Sequence, residues 1–162
     1  MNLIAAVDEN WGIGKDGKLL FSIKQDMRFF RDTTIGHVVV MGRKTLDSFP
    51  GGRALKDRVN IALTRDGKFT RENVTVCNST NAVLDELKKL GRDDVFIIGG
   101  AEIYKQFLPY CEKAYITKVA AKKDADAFIE NLDRSDEWQL ARCTKDFSDG
   151  GPMYRFCVYE RK

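Results

Sequence analysis

Histidine occurs once in the 162 residues, at His37, and that scarcity narrows the chemistry at once. A mixed Cys/His zinc site needs several ligands, and a Ser-His-Asp triad would have to be built around this one ring. The four cysteines, Cys77, Cys111, Cys143 and Cys157, form no CxxC pair, so zinc and dithiol motifs are missing and all four are expected to be buried free thiols. No metal site is expected. Three prolines and thirteen glycines do not make a collagen-like or low-complexity chain. No apolar run approaches the ~20 residues that span a bilayer, and Leu3–Val7 is too short for a signal peptide. A cytoplasmic location with no membrane partner is therefore expected. The net charge of +3 is mild for a protein acting on the nucleic-acid backbone, so nucleic acid is not expected as the main partner.

What is present is ordinary globular usage, 43% apolar and 31% charged, in a length that suits one domain over residues 1–162. Asn2–Val7 reads as a buried strand opening into a loop with Gly12, Gly14 and Gly17, which also carries Trp11 and Ile13 as a mobile active-site cover would. Ser22 to Gln25 has capping-box spacing and predicts a helix from about Ile23 to Thr34. Strands are predicted at His37–Met41, Val59–Thr64, Val74–Val76, Val95–Ile98 and Ala114–Val119. Short helices follow at Leu46–Phe49 and at Ala101–Leu108, the latter ended by Pro109. Between them Ser79 or Thr80 can cap a helix bearing Val83, Leu84, Leu87 and Leu90, stopped by Gly91. Trp138–Phe147 and Met153–Glu160 predict a hairpin around Ser148–Gly151. The alternation of strands and helices implies an α/β fold, a largely parallel sheet with an antiparallel C-terminal hairpin.

Two buried strands pass through glycine into helix starts, at Gly42-Arg43-Lys44-Thr45 and at Gly99-Gly100-Ala101. Helix N-termini at the carboxyl ends of strands present free N–H groups to anions, and two of them suit a ligand with two phosphates. Either unit alone is equally a tight turn in which glycine answers only to sterics, and neither is a GxGxxG fingerprint. Arg65 follows the third strand as Arg43 follows the second; if the strands are neighbours, the guanidiniums converge on a phosphate monoester, favouring NADPH over NADH. The alternative is two solvated arginines beside Asp47 and Asp66. On the first helix Asp26, Phe30 and Thr33 fall within ~60° of arc, with Met27 and Thr34 flanking. Asp26 either complements the helix dipole or lies desolvated among Phe30, Met27 and Ile4, with a pKa raised for proton handling. Arg58 can bind a substrate carboxylate or pair with Asp57 at the surface, as Arg31 can with Asp32.

Taken in order, Ile4-Ala5-Ala6, Ile13-Gly14, Asp26 with Phe30 and Thr34, Met41 to Thr45, Arg58 to Asn60, Ile98 to Ala101 with Tyr104, and Tyr115 to Thr117 closely resemble the bacterial dihydrofolate reductase family across Leu3–Glu160. The resemblance implies a central, mostly parallel eight-stranded sheet with four flanking helices, acting as a monomer. It implies NADPH-dependent reduction of dihydrofolate to tetrahydrofolate, inhibition by antifolates, and a Gly99–Gly100 cis peptide. By matching position, Asp26 binds the pterin and promotes protonation, with Thr117 in support and Leu19 and Phe21 in the catalytic loop. Ile4, Ala5, Met27, Phe30, Phe49, Leu55 and Ile98 line the substrate, and Arg58 takes its glutamate carboxylate. On the cofactor side the resemblance implies Ala6, Ile13 and Gly14 at the nicotinamide, Gly99, Gly100, Ala101, Glu102, Ile103 and Tyr104 near phosphate and ribose, and Gly42, Arg43, Lys44, Thr45, Leu63, Thr64 and Arg65 at the adenosine end.

The departures from the family pattern are Leu20 and Phe21 in place of Pro-Trp, Lys24 in place of proline, Ala54, Lys56 and Asp57 in the run before Arg58, and Ala125-Asp126-Ala127 in place of Gly-Asp-Thr. Phe21 lacks the indole N–H that holds an active-site water in the family. The same-fold alternative is an NADPH-dependent pyrimidine reductase of riboflavin synthesis, which would not need Asp26, Phe30 and Arg58 together. A nucleotide- or nucleic-acid-binding module is disfavoured because the aromatics fall on apolar faces.

Overall fold

A computed structural model describes all residues from 1 to 162. The chain runs β1 (Asn2–Val7), β2 (Gly12–Lys15), β3 (Lys18–Leu19), α1 (Lys24–Thr34), β4 (Val38–Gly42), α2 (Arg43–Ser48), β5 (Val59–Leu63) and β6 (Val74–Cys77). It continues through α3 (Thr80–Leu90), β7 (Val95–Gly99), α4 (Ala101–Phe107), β8 (Lys113–Val119), β9 (Ala127–Phe128), β10 (Trp138–Cys143) and β11 (Tyr154–Arg161). Eight strands form one sheet in the order β10-β11-β8-β1-β7-β4-β5-β6. From β8 to β6 every pairing is parallel, while β11 runs antiparallel to both β8 and β10.

The central strands are apolar at consecutive positions because both faces of the sheet are covered. Side chains alternate between faces, so Leu3, Val38, Val40 and Ile97 join α3 and α4 through Val83, Leu87, Ile103 and Phe107. Ile4, Val39, Met41, Phe96 and Ile98 meet Phe29 and Phe30 of α1 and Leu46 of α2 on the other face. Helix α3 starts at Ser79, whose side chain accepts a bond from the Ala82 N–H, and ends at Gly91 in the left-handed conformation at φ 62°.

Four local expectations are corrected. Ser22 does not cap α1: Ile23 is the extended residue before the helix and no side chain caps its N–H groups, because the Gln25 side chain turns instead to Tyr154. The glycine-rich segment is not loop throughout: it forms β2 and β3, and the segment around Ala127 supplies the third strand of a small sheet, β3-β2-β9. Pro109 lies inside a short 3-10 turn, Leu108–Tyr110, which continues α4 rather than following its end. The C-terminal hairpin is paired as a ladder only to Cys143, because beyond it the Phe156 N–H donates to the Thr144 hydroxyl and pairing resumes at a single Phe147–Tyr154 bridge.

The thiol expectation also changes. Cys77 and Cys111 are buried and free, but Cys143 and Cys157 are joined in a disulfide across β10 and β11. A bulge between Leu140 and Arg142 shifts the register by one residue and sets Cys143 opposite Cys157 instead of Phe156.

Candidate active site

Asp26 occupies the first turn of α1, and Thr117 lies on β8 with its side chain on the face that α1 covers. The Thr117 hydroxyl donates to Asp26 Oδ1 at 2.6 Å. Burial drives the carboxyl pKa above its ordinary 3.8, and the hydroxyl's hydrogen bond to the charged form opposes part of that rise. Of the two readings of Asp26, the desolvated carboxylate describes the site, but its surroundings differ from those predicted. Met27 is 60% exposed, whereas Phe29 turns inward and stacks on Phe156 at 4.5 Å between ring centres. Ile4 and Ile98 are buried beneath the site, and Phe30, Phe49 and Leu55 pack half-buried against the same cluster.

The far end of α1 meets Arg58. Its Nη1 donates to the Thr34 hydroxyl at 3.1 Å and its Nε to the Lys56 carbonyl, while Thr34 donates to the Phe30 carbonyl. The surface pair with Asp57 does not form, although Arg31 and Asp32 do approach to 3.7 Å. Burial, reinforced by the nearby Arg31 charge, lowers the Arg58 pKa. Asn60 fixes this arginine's loop by exchanging two hydrogen bonds with the Leu55 backbone and donating to the Arg58 carbonyl. Eight residues separate Asp26 from Thr34, roughly 12 Å along the helix axis. One helix thus carries a desolvated carboxylate at one end and touches a guanidinium at the other; that guanidinium also lines a groove of about 620 Å³, which is formed by residues 51–60 with Arg71, Glu72, Asn73 and Thr75 and does not reach the helix.

On the cofactor side β4 and β5 are neighbours with Gly42 opposite Leu63, which places Arg43 and Arg65 at adjacent strand ends. The two arginines differ in partners. Arg43 lies 3.2 Å from Asp66 and 3.6 Å from Asp47 and stacks over Phe69, whereas Arg65 is exposed and forms no ion pair. Lys44 is exposed and Thr45 half-buried beside them. Thr64 accepts from the Asp66 N–H. Neither α2 nor α4 has a side-chain cap, so the first-turn N–H groups at Gly42 and Gly100 remain free for anions, and the arginines supply charge nearby. These residues fit a phosphate-bearing dinucleotide. The Gly99–Gly100 peptide is cis, and Gly99 is at φ 108° with the Tyr104 ring where a Cβ would stand, so only glycine suits that position. Glu102 is exposed and Ile103 buried. Tyr104 packs its ring against Gly99, and its buried hydroxyl donates to the Ile4 carbonyl at 2.7 Å, linking α4 to β1.

The loop over the site is tied on two flanks. Gly14 and Asp16 bond Asp126, whose N–H donates to the Gly14 carbonyl and whose Oδ2 accepts from the Asp16 N–H. Ala6 is half-buried at the end of β1, and Ile13 is buried within β2. Leu19 is 84% exposed. Two anchors were not legible in the sequence. Asp8, at 2% exposure, accepts from the N–H groups of Asn10, Gly12 and Lys123. The Lys123 ammonium donates to the Leu20 carbonyl at 2.8 Å and sits 4.9 Å from the Phe21 ring centre, bracing the segment that departs from the family pattern. The only sequence signal at Asp8 is an acid directly after the apolar run of β1.

Fold and site together define a nucleotide-dependent reductase of the open α/β class, with the desolvated Asp26 carboxylate on α1 and a cationic edge at the ends of β4 and β5. The dihydrofolate reductase family pattern matches residues 1–161. The dihydrofolate reductase of Staphylococcus haemolyticus is 38% identical over 99% of this chain and 95% of its own length, and that of Bacillus subtilis is 35% identical over 100% and 95%. A solved dihydrofolate reductase from Enterococcus faecalis, complexed with NADP(H) and RAB-propyl, superposes with a TM-score of 0.87 at 29% identity, covering 99% of this chain and 95% of that one. The chain belongs to the dihydrofolate reductase family and is an NADPH-dependent oxidoreductase of dihydrofolate.

Proposed function

We propose that the chain reduces 7,8-dihydrofolate to 5,6,7,8-tetrahydrofolate with Asp26 as the residue that orients the pterin and promotes its protonation. The observation that carries this reading is the desolvated Asp26 carboxylate held by Thr117 at 2.6 Å. NADPH supplies the hydride. Asp26 presents its unbonded oxygen to the pterin amino and ring N–H groups, and its raised proton affinity increases the basicity of the ring to which it is bonded. Ile4 and Ile98 form the apolar floor, Phe30, Phe49 and Leu55 enclose the aryl ring, and Arg58 offers its guanidinium to the glutamate carboxylate. Arg43, Lys44 and Arg65 hold the adenosine-side phosphate, for which Asp47 and Asp66 are exposed, weakly bound stand-ins at Arg43. The β2–β3 hairpin excludes water from the nicotinamide.

The same reading makes antifolates ligands of this pocket and has the enzyme act as a monomer in the cytoplasm. No helix is long and apolar enough to cross a membrane. The test is loss of NADPH absorbance on addition of dihydrofolate. Turnover of a ribosylated pyrimidine in its place, or no turnover, would overturn the proposal.

A further inference from the structure

Helix α1 begins without a side-chain cap, yet it carries the carboxylate whose placement the chemistry needs. Its first two turns are held by the antiparallel end of the sheet. On β11 Tyr154 and Phe156 share the face of Thr117, since Phe156 pairs with Thr117 and Tyr154 with Val119 on β8. These three residues meet three consecutive inward positions of α1: Tyr154 meets Gln25, Thr117 meets Asp26 and Phe156 stacks on Phe29.

Tyr154 is 1% exposed, and its oxygen lies 2.7 Å from the atom placed as Gln25 Oε1 and 2.9 Å from Asp149 Oδ2. A phenol has one proton. The carboxylate is the stronger acceptor, so the proton goes to Asp149 and the phenol oxygen accepts from the Gln25 NH2, the oxygen and nitrogen of a terminal amide being interchangeable in position. Burial and the Asp149 and Asp26 charges push the Tyr154 pKa up, so the phenol stays neutral. A directed bond at Gln25 fixes both the height and the rotation of the turn on which Asp26 stands.

We propose that Tyr154 and Gln25 are positioning residues for Asp26, setting the carboxylate's geometry toward the pterin through the first turn of α1. The inference rests on the reading of Asp26 given above. Tyr154→Phe deletes one oxygen and keeps the ring. Misplacement of a reacting group by a fraction of an ångström costs on the order of tenfold in rate. The single-turnover hydride-transfer rate of Tyr154→Phe is therefore expected to fall roughly tenfold, with the KM for NADPH within about twofold of the parent. Gln25→Ala is expected to match it, and the double variant to be no slower than either single one. In an Asp26→Asn background Tyr154→Phe is expected to change the rate less than about twofold, because no carboxylate remains to be placed. A parental rate in Tyr154→Phe, or a loss that multiplies with that of Asp26→Asn, overturns the proposal. Full turnover by Asp26→Asn itself overturns the underlying reading instead. Gln25→Ala replaces a helix residue with a better helix former, so it reports even if Tyr154→Phe folds poorly.

Discussion

Thr117 Oγ1 and Asp26 Oδ1 stand 2.6 Å apart although 91 residues separate them, and the Thr117 hydroxyl is the one side-chain bond that stabilises the buried carboxylate in its charged form. Replacing Thr117 with Val keeps the shape and deletes the donor. A hydrogen bond to a charged group stabilises it by about 1.5–3 kcal/mol, so its loss favours the protonated carboxyl. The pKa governing turnover is expected to rise in Thr117→Val, measured from kcat against pH. An unmoved profile would show that Thr117 does not set the Asp26 proton affinity.

Asp26 also has a thermodynamic signature. Its folded pKa lies above the ordinary 3.8, so between the two values the folded state binds more protons than the unfolded one and stability falls as pH rises. Asp26→Asn removes that penalty. The variant is expected to melt higher than the parent at neutral pH, with the difference closing as pH drops below about 4. Turnover moves the opposite way, with the greatest loss at neutral pH and partial recovery in acid, where dihydrofolate gains a proton of its own.

Arg65 lies at the end of β5 beside the Arg43 edge and has no acidic partner to restrain it. Arg65→Ala is expected to weaken NADPH on the order of tenfold or more, the value of one charge-assisted bond, while NADH changes little. Titration of both nucleotides by fluorescence decides it. Equal losses would place Arg65 away from the phosphate that distinguishes them.

The Cys143–Cys157 bridge closes a loop with a sequence separation of 14 residues. Constraining the unfolded chain over such a loop stabilises the fold by about 3 kcal/mol. Cys143→Ala is expected to lower Tm by roughly 6–12 °C, and reductant to lower the parent's Tm but not the variant's. A parent indifferent to reductant would mean that the bridge contributes nothing in solution.

The strands were legible because burial on both faces demands unbroken apolar runs such as Val38–Met41 and Val95–Ile98. The helix ends with local chemistry, Ser79 and Gly91, were legible for the same reason: their signals lie within a few residues. Ser22 misled because a capping pattern states what a side chain can do locally, and Tyr154, 129 residues away, offered Gln25 a buried partner instead.

By itself the sequence determined the alternation of elements, the excess of cations between residues 36 and 71, where eight Lys/Arg face three acids, and the presence of one carboxylate on an apolar helix face. Tertiary structure alone decided which groups meet. The register of β8 against β1 and β11 brought Thr117 to Asp26, the order of β4 and β5 put Arg43 beside Arg65, and a one-residue bulge paired two cysteines read as free. Periodicity assigns a residue to a face, but only the pairing of distant strands fixes its position along that face, and proton affinity, phosphate recognition and disulfide formation all depend on that position.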